Sequence, residues 1–433
     1  MKSTSILVGP VMAYCASLAF AIPAASAQTQ APISSVSAAD PVAALVGQLD
    51  LEKYKATIKG LAQFGDRRQG TERNRKALDW IEAQLKSYGC TNTERLQYEF
   101  TQPAPRPPSA PAPVRPAAQP GGRGGPAGQG GSTLFGNRAQ TGVNADPLLQ
   151  PDERLRALNA EQTPVGTSKR ESIYCTKIGT AHPEEMYIVS AHMDGIGFGE
   201  AVNDDASGTA LVMELARIFS APGVETERSL RFALWNNEET GLNGSRAYVE
   251  QRKDLQGIES PKGSGRYPEP TWLGMIQHDM MMWDHGMPIP QLDAAGNPVL
   301  DAKGQPVHVS PKEQRREADV NIEFQSVSKQ ADASAKLAWM FHAANGKYAT
   351  NYPAAVGPHM TNTDSTPFMD LVPAISLREN ERGMQIGAGW NPNWHQPSDV
   401  FTTYSDKDFL LGLNAAQTSL AGVAQLSGAR IKK

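Results

Sequence analysis

Acids and histidines in this sequence gather where short apolar runs stop. They occur in YIVSAHMD, GEAVNDDASG, RFALWNNEE, MIQHD and NPNWHQPSD, and the residues concerned are His192, Asp194, Asp204, Glu238, Glu239, Asp279, His395 and Asp399. In an open α/β sheet, ligands bind beyond the carboxyl ends of the strands. We therefore expect these side chains to meet at one rim of a sheet.

Each of these motifs also has a purely structural explanation. A His-x-Asp can be a surface hydrogen bond, an Asp pair before a helix can be an N-cap, and adjacent glutamates can be a solvated pair. Their joint occurrence at strand ends is different, because gathering so many carboxylates is unfavourable unless cations compensate them. Two histidines with several carboxylates suit Zn²⁺ better than Mg²⁺ or Ca²⁺. The sequence therefore predicts a zinc site with enough ligands for two ions.

Alternating strand and helix patterns must position these side chains. Residues 43–90 have a helical pattern, and the strand-like RLQYEF follows at 95–100. From residue 171 onwards, strand-like runs such as EEMYIVSAHMD and SLRFALW alternate with helical stripes such as SGTALVMELARIF. This alternation predicts an α/β fold, a three-layer sandwich with a mixed, mostly parallel central sheet flanked by helices.

Two segments interrupt this pattern. A run rich in proline and glycine cannot bury a core, so we expect residues 102–170 to be an insertion and linker that is partly disordered. The near-repeat LDAAGNPV–LDAKGQPV carries turn signals and predicts an inserted β-ribbon over about 285–322, either a lid or a surface decoration. Residues 28–101 are then the helical part and first strand of the domain that carries the acids, and residues 171–427 are its main body.

The N-terminus and the charge bear on location and partners. Lys2 precedes an apolar stretch ending in Ala-Ser-Ala at 25–27, which predicts a signal peptide over 1–27 and export to the periplasm or the medium; a retained membrane anchor is the alternative. A net charge of −4 on 433 residues argues against nucleic-acid binding. No later segment is apolar for long enough to cross a membrane. Cys90 and Cys175 are either a disulfide or two buried thiols.

The order of the motifs resembles that of the exported co-catalytic zinc aminopeptidases. H-x-D, N-D-D-A-S-G, N-N-E-E-x-G-L-x-G-S, an Asp-ended strand and a late His follow one another, and FGDRRQGTERNRKALDWIEAQLKSYG is similar to that family's opening segment. The resemblance covers roughly residues 45–100 and 170–425. Bacterial leucyl aminopeptidases belong to the family, and glutamate carboxypeptidase II and secreted glutaminyl cyclases share its fold. It implies a phosphorylase/hydrolase-like zinc peptidase fold.

The resemblance also implies a ligand set for two zinc ions that act together. One ion would be held by His192, Asp204 and Asp279, and the other by Asp204, Glu239 and His395. Asp204 would therefore bridge the two ions. His278, the neighbour of Asp279, should point the other way along its strand, and we interpret it as structural.

The remaining site residues receive their roles from the same resemblance. Asp194 would accept a hydrogen bond from His192 and fix its tautomer, and the peptide bond after Asp204 is expected to be cis. Glu238 would act as general base towards the attacking water and return the proton to the departing amine. Trp394 stands where some relatives have a tyrosine, so we expect it to pack, and the oxyanion donor is not assigned.

These expectations describe a metal-dependent exopeptidase, an aminopeptidase acting on peptides with a free N-terminus. The alternatives are a single-zinc glutaminyl cyclase, a metallo-carboxypeptidase with a basic pocket near Arg378 and Arg382, and a non-catalytic binding module on the same fold. The complete set of five ligands, together with Glu238, favours hydrolysis. The sequence predicts neither the preferred side chain of the substrate nor an oligomeric state.

Overall fold

The computed structural model describes most of the chain after residue 39. The described residues are 40–104, 143–284, 290–302, 304, 307, 309, 319–349, 351–358, 362–379 and 391–432. The predicted signal peptide 1–27, the most proline-rich part of the predicted insertion and Arg382 lie outside them.

From the second strand onwards, pairs of successive strands alternate with helices along the chain. The strands of the described residues are β1 (Thr93–Gln102), β2 (Gly166–Lys177), β3 (His182–His192), β4 (Val224–Glu225), β5 (Arg228–Trp235), β6 (Thr271–His278), β7 (Val320–Phe324), β8 (Ala354–Gly357), β9 (Ala374–Arg378) and β10 (Arg430–Ile431). The helices are α1 (Pro41–Val46), α2 (Leu51–Ala62), α3 (Glu72–Ser87), α4 (Glu153–Leu158), α5 (Gly208–Phe219), α6 (Asn243–Arg252), α7 (Ala331–Tyr348) and α8 (Asp406–Ser427). None of the helices in the described ranges combines the length and apolar character that a bilayer span requires.

One eight-stranded sheet forms the middle layer, in the order β1-β2-β5-β3-β6-β9-β7-β8. Its centre, β5-β3-β6-β9, is parallel, whereas β1 and β2 at one edge and the β7–β9 pair at the other are antiparallel. Residue pairing brings His192 opposite Trp235 and Ala191 opposite His278. The carboxyl ends of β3, β5 and β6 therefore meet at one edge of the sheet.

Alternate residues of the central strands pack on opposite faces of the sheet, as the period of a strand requires. In β3, Val189 belongs to the core shared with α1–α3, α5, α7 and α8, whereas Ile188 belongs to the core that contains Tyr248 of α6. In β5, Leu234 and Ala233 divide in the same way. Helices thus cover both faces, and the predicted α/β sandwich with a mixed, mostly parallel sheet is confirmed.

The helices begin and end where local chemistry allows. The Asp50 side chain accepts from the Lys53 N–H at the start of α2, and the Thr71 side chain accepts from the Asn74 N–H at the start of α3. Ser405 and Asp408 form a capping box at the start of α8, which ends at a left-handed Gly428. The helical pattern predicted over 43–90 is divided into three helices, because these caps start new helices within it.

The structure describes part of each of the two predicted interruptions. Residues 143–170 of the predicted linker contain α4 and the first part of β2. Every residue of β1 pairs with a residue of β2. In the predicted ribbon 285–322, described residues form β-type hydrogen bonds, such as Val299 N–H to Gln291 O at 2.8 Å. Residues 320–322 instead belong to β7 of the main sheet.

Cys90 and Cys175 form a disulfide that joins the end of the α3 segment to β2 across 85 residues of sequence. Both cysteines are buried. A cross-link stabilises a fold mainly by restricting the unfolded chain, and a loop of this length is worth about 4 kcal/mol. Of the two possibilities left by the sequence, the structure shows the disulfide.

Removing this cross-link is expected to destabilise the protein without altering its site. We expect the Cys90→Ala/Cys175→Ala double variant to lose about 4 kcal/mol of unfolding free energy. Urea unfolding followed by circular dichroism, with the wild type measured with and without reductant, checks this. Equal stability of the oxidised wild type and the double variant would contradict it.

Candidate metal centre

Four chain segments deliver polar side chains to the edge where β3, β5 and β6 end. His192 is the last residue of β3, and Asp279 follows the last residue of β6. Glu238 and Glu239 lie in the turn between β5 and α6. Asp204 lies in the kinked segment Val202–Ser207 that leads into α5, where its own backbone is not helical, and the structure has a cis peptide bond after it, as the resemblance implies.

The five predicted ligands form two groups that share Asp204. Asp204 Oδ1 lies 3.1 Å from His192 Nε2, and Asp279 Oδ1 lies 3.8 Å from the same nitrogen. On the other side, His395 Nε2 lies 2.8 Å from Asp204 Oδ2 and 2.8 Å from Glu239 Oε2. Ligand atoms within each trio, His192–Asp204–Asp279 and Asp204–Glu239–His395, lie within 4.8 Å of one another. The two carboxylate oxygens of Asp204 therefore face two different ligand groups.

Left-handed backbone conformations occur at three of the turns that aim these side chains. Asn237, directly before Glu238, has φ 67°, Met280 directly after Asp279 has φ 60°, and His395 itself has φ 55°. Such conformations are costly for residues with a Cβ atom and persist only where the surroundings impose them. The strain is thus located at the ligand His395 and at the neighbours of Glu238 and Asp279.

Two further buried acids hold the backbone around the ligands. Asp399 accepts from the Asn203 N–H at 2.9 Å, the Asp204 N–H at 3.2 Å and the Tyr404 hydroxyl at 2.8 Å. Burial raises the pKa of Asp399 to about 6, although these hydrogen bonds favour its charged form. Asp205 accepts from the backbone N–H groups of His192 and Gly208. The sequence showed these acids, but their role in orienting backbone amides needs the three-dimensional arrangement.

Asp194 contacts the centre differently from the expectation. His192 Nδ1 lies 3.0 Å from the backbone carbonyl oxygen of Asp194, whereas the Asp194 carboxylate is 3.8 Å from this nitrogen. That carboxylate accepts instead from the Glu238 N–H at 3.0 Å. The expected hydrogen bond from His192 to the Asp194 side chain is therefore wrong, since the backbone of Asp194 takes that place and the side chain positions the glutamate turn.

Glu238 lies beside the five ligands without joining either group. Its side chain is 6% exposed, and burial raises its pKa well above the usual value for glutamate. Its backbone is fixed by the Asp194 carboxylate and by the N–H groups of Gly241 and Leu242, which donate to its carbonyl oxygen. A fixed backbone with a carboxylate outside both ligand groups suits a proton acceptor.

The electrostatics of the cluster call for positive charge. Burial raises the pKa of Glu239 to about 7 even though His395 opposes this. Burial lowers the pKa of His395, but Glu239 and Asp204 outweigh burial and raise it to about 10. Within the described residues, Glu239 Oε1 is buried without a hydrogen-bond partner. Without a metal ion, protonated histidines supply the positive charge that these carboxylates need, and bound cations would supply the same charge. The nitrogen and oxygen ligand atoms of the two groups fit divalent zinc.

Arg378, considered above as part of a basic pocket, has another role. Its side chain is fully buried, its Nη2 donates to Asp279 Oδ2 at 2.8 Å, and its Nε lies 3.3 Å from Glu323 Oε2. It therefore neutralises and orients a ligand of the centre. The interpretation of Arg378 as an open binding pocket for acidic peptide ends is wrong, because its charge is committed within the core.

Three other residues near the centre make contacts that indicate their roles. His278 is buried between Ser190 O and the Ser419 hydroxyl, and burial lowers its pKa to about 4, in agreement with a structural role. Trp394 stacks on the His395 ring at 3.8 Å between centroids. Asp364, which sequence reasoning missed, is buried and accepts from Ser245; its only sequence signal is an acid ahead of β9.

Comparisons with known proteins find similar sequences and similar folds. Residues 173–301 match peptidase family M28. A curated relative, the probable lipoprotein aminopeptidase LpqL of Mycobacterium tuberculosis, is 35% identical over 171 residues, covering 39% of this chain and 30% of that protein. The chain spans less than a third of the length of the curated relatives reported for it.

Solved structures share the fold. The aminopeptidase from Aneurinibacillus sp. strain AM-1 matches with a TM-score of 0.53 and 19% identity, covering 90% of this chain and 97% of that chain. BSAP, a zinc aminopeptidase from Bacillus subtilis, matches with a TM-score of 0.51 and 15% identity, covering 89% and 96%. At these identities the likeness concerns the fold, and the match to peptidase family M28 is confined to residues 173–301 of the chain.

Proposed function

We propose that this protein is an exported zinc aminopeptidase that hydrolyses the N-terminal bond of peptides at a dinuclear centre. The observation that carries the proposal is the pair of ligand groups that share Asp204, with Glu238 beside them and in neither group. The match of residues 173–301 to a peptidase family and a relative named as an aminopeptidase support it.

The residues divide the work of hydrolysis. His192 and Asp279 would hold one zinc ion, Glu239 and His395 the other, and Asp204 both. When bound, zinc supplies Lewis acidity, which lowers the pKa of a water ligand towards neutrality and polarises a carbonyl group.

The neighbouring residues handle protons and orientation. Glu238 accepts the proton of the attacking water and returns it to the departing amine. The Asp194 carboxylate accepts from the Glu238 backbone N–H and so keeps Glu238 in place. Arg378 donates to the Asp279 carboxylate and fixes its orientation. Carboxylates at the same edge give a free substrate amine an acidic environment, which favours peptides with an unblocked N-terminus.

The proposed location and domain organisation rest on separate observations. A disulfide between buried cysteines is typical of oxidising compartments outside the cytosol, and the relative from Mycobacterium tuberculosis is named as a lipoprotein. With the signal-peptide pattern at 1–27, these observations support export. We assign residues 28–101 and 171–427 to one catalytic domain, to which residues 166–170 also belong as the first part of β2.

A pair of blocked peptides tests the proposed activity against the alternatives. We expect cleavage of a peptide with a free N-terminus and an amidated C-terminus, and no cleavage of the same peptide with an acetylated N-terminus and a free C-terminus. A carboxypeptidase gives the opposite result, and a glutaminyl cyclase releases ammonia from a Gln-initiated peptide without cleaving the chain. A binding module leaves all three peptides intact.

Metal removal is expected to abolish this cleavage reversibly. Because three buried carboxylates form the ligand groups, we expect a chelator to remove nearly all turnover and added Zn²⁺ to restore it. Mass spectrometry of the cleaved peptide and metal analysis of the dialysed protein provide the measurements. Full activity of a protein shown to be free of metal would refute the zinc mechanism.

A further inference from the structure

The loop between His192 and Asp204 is held from outside by side chains. Five consecutive carbonyl oxygens of this loop accept hydrogen bonds from side-chain nitrogens: Gly197 O from Asn144 at 3.3 Å, Phe198 O from Gln150 at 2.8 Å, Gly199 O from Asn159 at 2.8 Å, Glu200 O from Arg67 at 2.7 Å and Ala201 O from Arg67 at 2.8 Å. Neither strand nor helix spans these five residues. The loop therefore depends on donors supplied by distant segments.

Three of these donors come from the segment that the sequence predicts to be linker. Asn144, Gln150 and Asn159, called here the amide clamp, are 8%, 2% and 0% exposed. A side chain in a mobile linker would be solvated rather than buried. The amide clamp is instead part of the packed interior beside the centre.

The amide clamp also reaches the segment that carries His395. The Asn144 backbone N–H donates to His395 O at 3.0 Å, and Gln150 Nε2 donates to Pro397 O at 2.9 Å as well as to Phe198 O. Gln150 thus joins the loop that follows His192 to the loop that follows His395. These two loops belong to different ligand groups of the centre.

Loop geometry makes such external donors necessary. Gly197, Phe198 and Ala201 have φ of 100°, 69° and 48°, so the loop cannot continue as a strand or a helix that would satisfy its own carbonyls. A buried polar group left without a partner costs about 1–3 kcal/mol. Loss of one residue of the amide clamp should therefore allow the loop between His192 and Asp204 to change its conformation. The positions of these two ligands should then change as well.

We propose that the amide clamp is a positioning element of the metal centre, which sets the spacing of His192, Asp204 and His395 and thereby the affinity for zinc. The proposal rests on the proposed function, because it assumes that these residues hold zinc. It assigns residues 144–159 to the centre rather than to an inert linker.

The test is the zinc affinity of a Gln150→Met variant of the full chain. Methionine keeps the length and apolar volume of glutamine and removes both amide donors. We expect zinc binding, measured by competition with a chromophoric chelator, to weaken about 10–100-fold, as is typical when a group that orients a ligand is lost. Saturating zinc should restore much of the turnover.

Asn414→Leu provides the matched control. Asn414 is a buried amide of α8 that donates to Tyr352 O at 3.1 Å, and neither partner segment contributes a ligand. Both variants lose a buried side-chain donor, so both should melt at a lower temperature, but only Gln150→Met should weaken zinc binding. If Gln150→Met does not fold, Asn144→Ala, which removes one loop contact, should weaken zinc binding about fivefold.

The outcomes separate the two proposals. A wild type that binds no zinc refutes the proposed function and the amide clamp with it. If the wild type binds zinc and cleaves peptides while Gln150→Met or Asn144→Ala binds zinc with unchanged affinity, the amide clamp is refuted and the proposed function stands. Equal weakening by Asn414→Leu also refutes the amide clamp, because the effect then reflects general destabilisation.

Discussion

Replacing Glu238 with glutamine is expected to lower kcat by about 10²–10⁴-fold while both zinc ions stay bound. Glutamine preserves the shape of the side chain and the backbone hydrogen bond to Asp194, but it cannot accept a proton from the attacking water. Glu238 lies outside both ligand groups, so its charge is not needed to hold metal. Turnover of an aminoacyl amide and metal content of the same preparation are the two measurements.

Its neighbour supplies the matched control for this result. Glu239 Oε2 lies 2.8 Å from His395 Nε2 within the second ligand group, so Glu239→Gln should lose zinc as well as turnover. Excess zinc should partly rescue Glu239→Gln but not Glu238→Gln. If Glu238→Gln kept wild-type turnover, Glu238 would not be the base. If it lost its metal, Glu238 would belong to the ligand set.

The position of the centre could be predicted because it follows from chain order and sheet geometry. Parallel strands place their carboxyl ends at one edge, so His192, Asp279 and the glutamate turn after β5 had to meet once the strands were recognised. The excess of carboxylates over positive charges could also be counted in the sequence. The fold class followed from the same alternation of strands and helices.

Side-chain direction could not be predicted, because it depends on turns whose conformation the sequence does not specify. The Asp194 carboxylate turns towards the Glu238 N–H and leaves His192 to the backbone carbonyl, an exchange decided by the turn after β3. Arg378 could be a pocket residue or a buried ion-pair partner, and only the neighbouring Asp279 and Glu323 decide between them.

The linker prediction had a different weakness. Composition predicts that a proline- and glycine-rich run cannot form a core, but it does not show where the run stops. The residues that follow that run are Asn144, Gln150 and Asn159. Their burial depends on partners far away in the chain, such as Asp66 for Asn159 and Pro397 for Gln150. Such contacts join positions far apart in the chain and leave no local pattern.

Replacing Asp204 with asparagine is expected to affect the centre more than any other single change. Asp204 presents one oxygen to each ligand group, at 3.1 Å from His192 Nε2 and 2.8 Å from His395 Nε2. An amide offers one oxygen and a nitrogen that donates hydrogen bonds, so it cannot bridge two cations. We expect Asp204→Asn to bind at most about one zinc ion per chain and to lose turnover at least as completely as Glu238→Gln.

The stability response to zinc makes this prediction independent of activity. A site filled at about one hundred times its Kd adds about 2.7 kcal/mol to folding stability, so zinc should raise the melting temperature of the wild type. Asp204→Asn should show little of this increase, whereas Asp408→Asn should retain it. Asp408, a buried acid at the start of α8, accepts from the Ser405 and Asp284 N–H groups and belongs to neither ligand group. An equal zinc-induced increase in Asp204→Asn and the wild type would mean that Asp204 does not bridge, because a bridging carboxylate is needed by both ions.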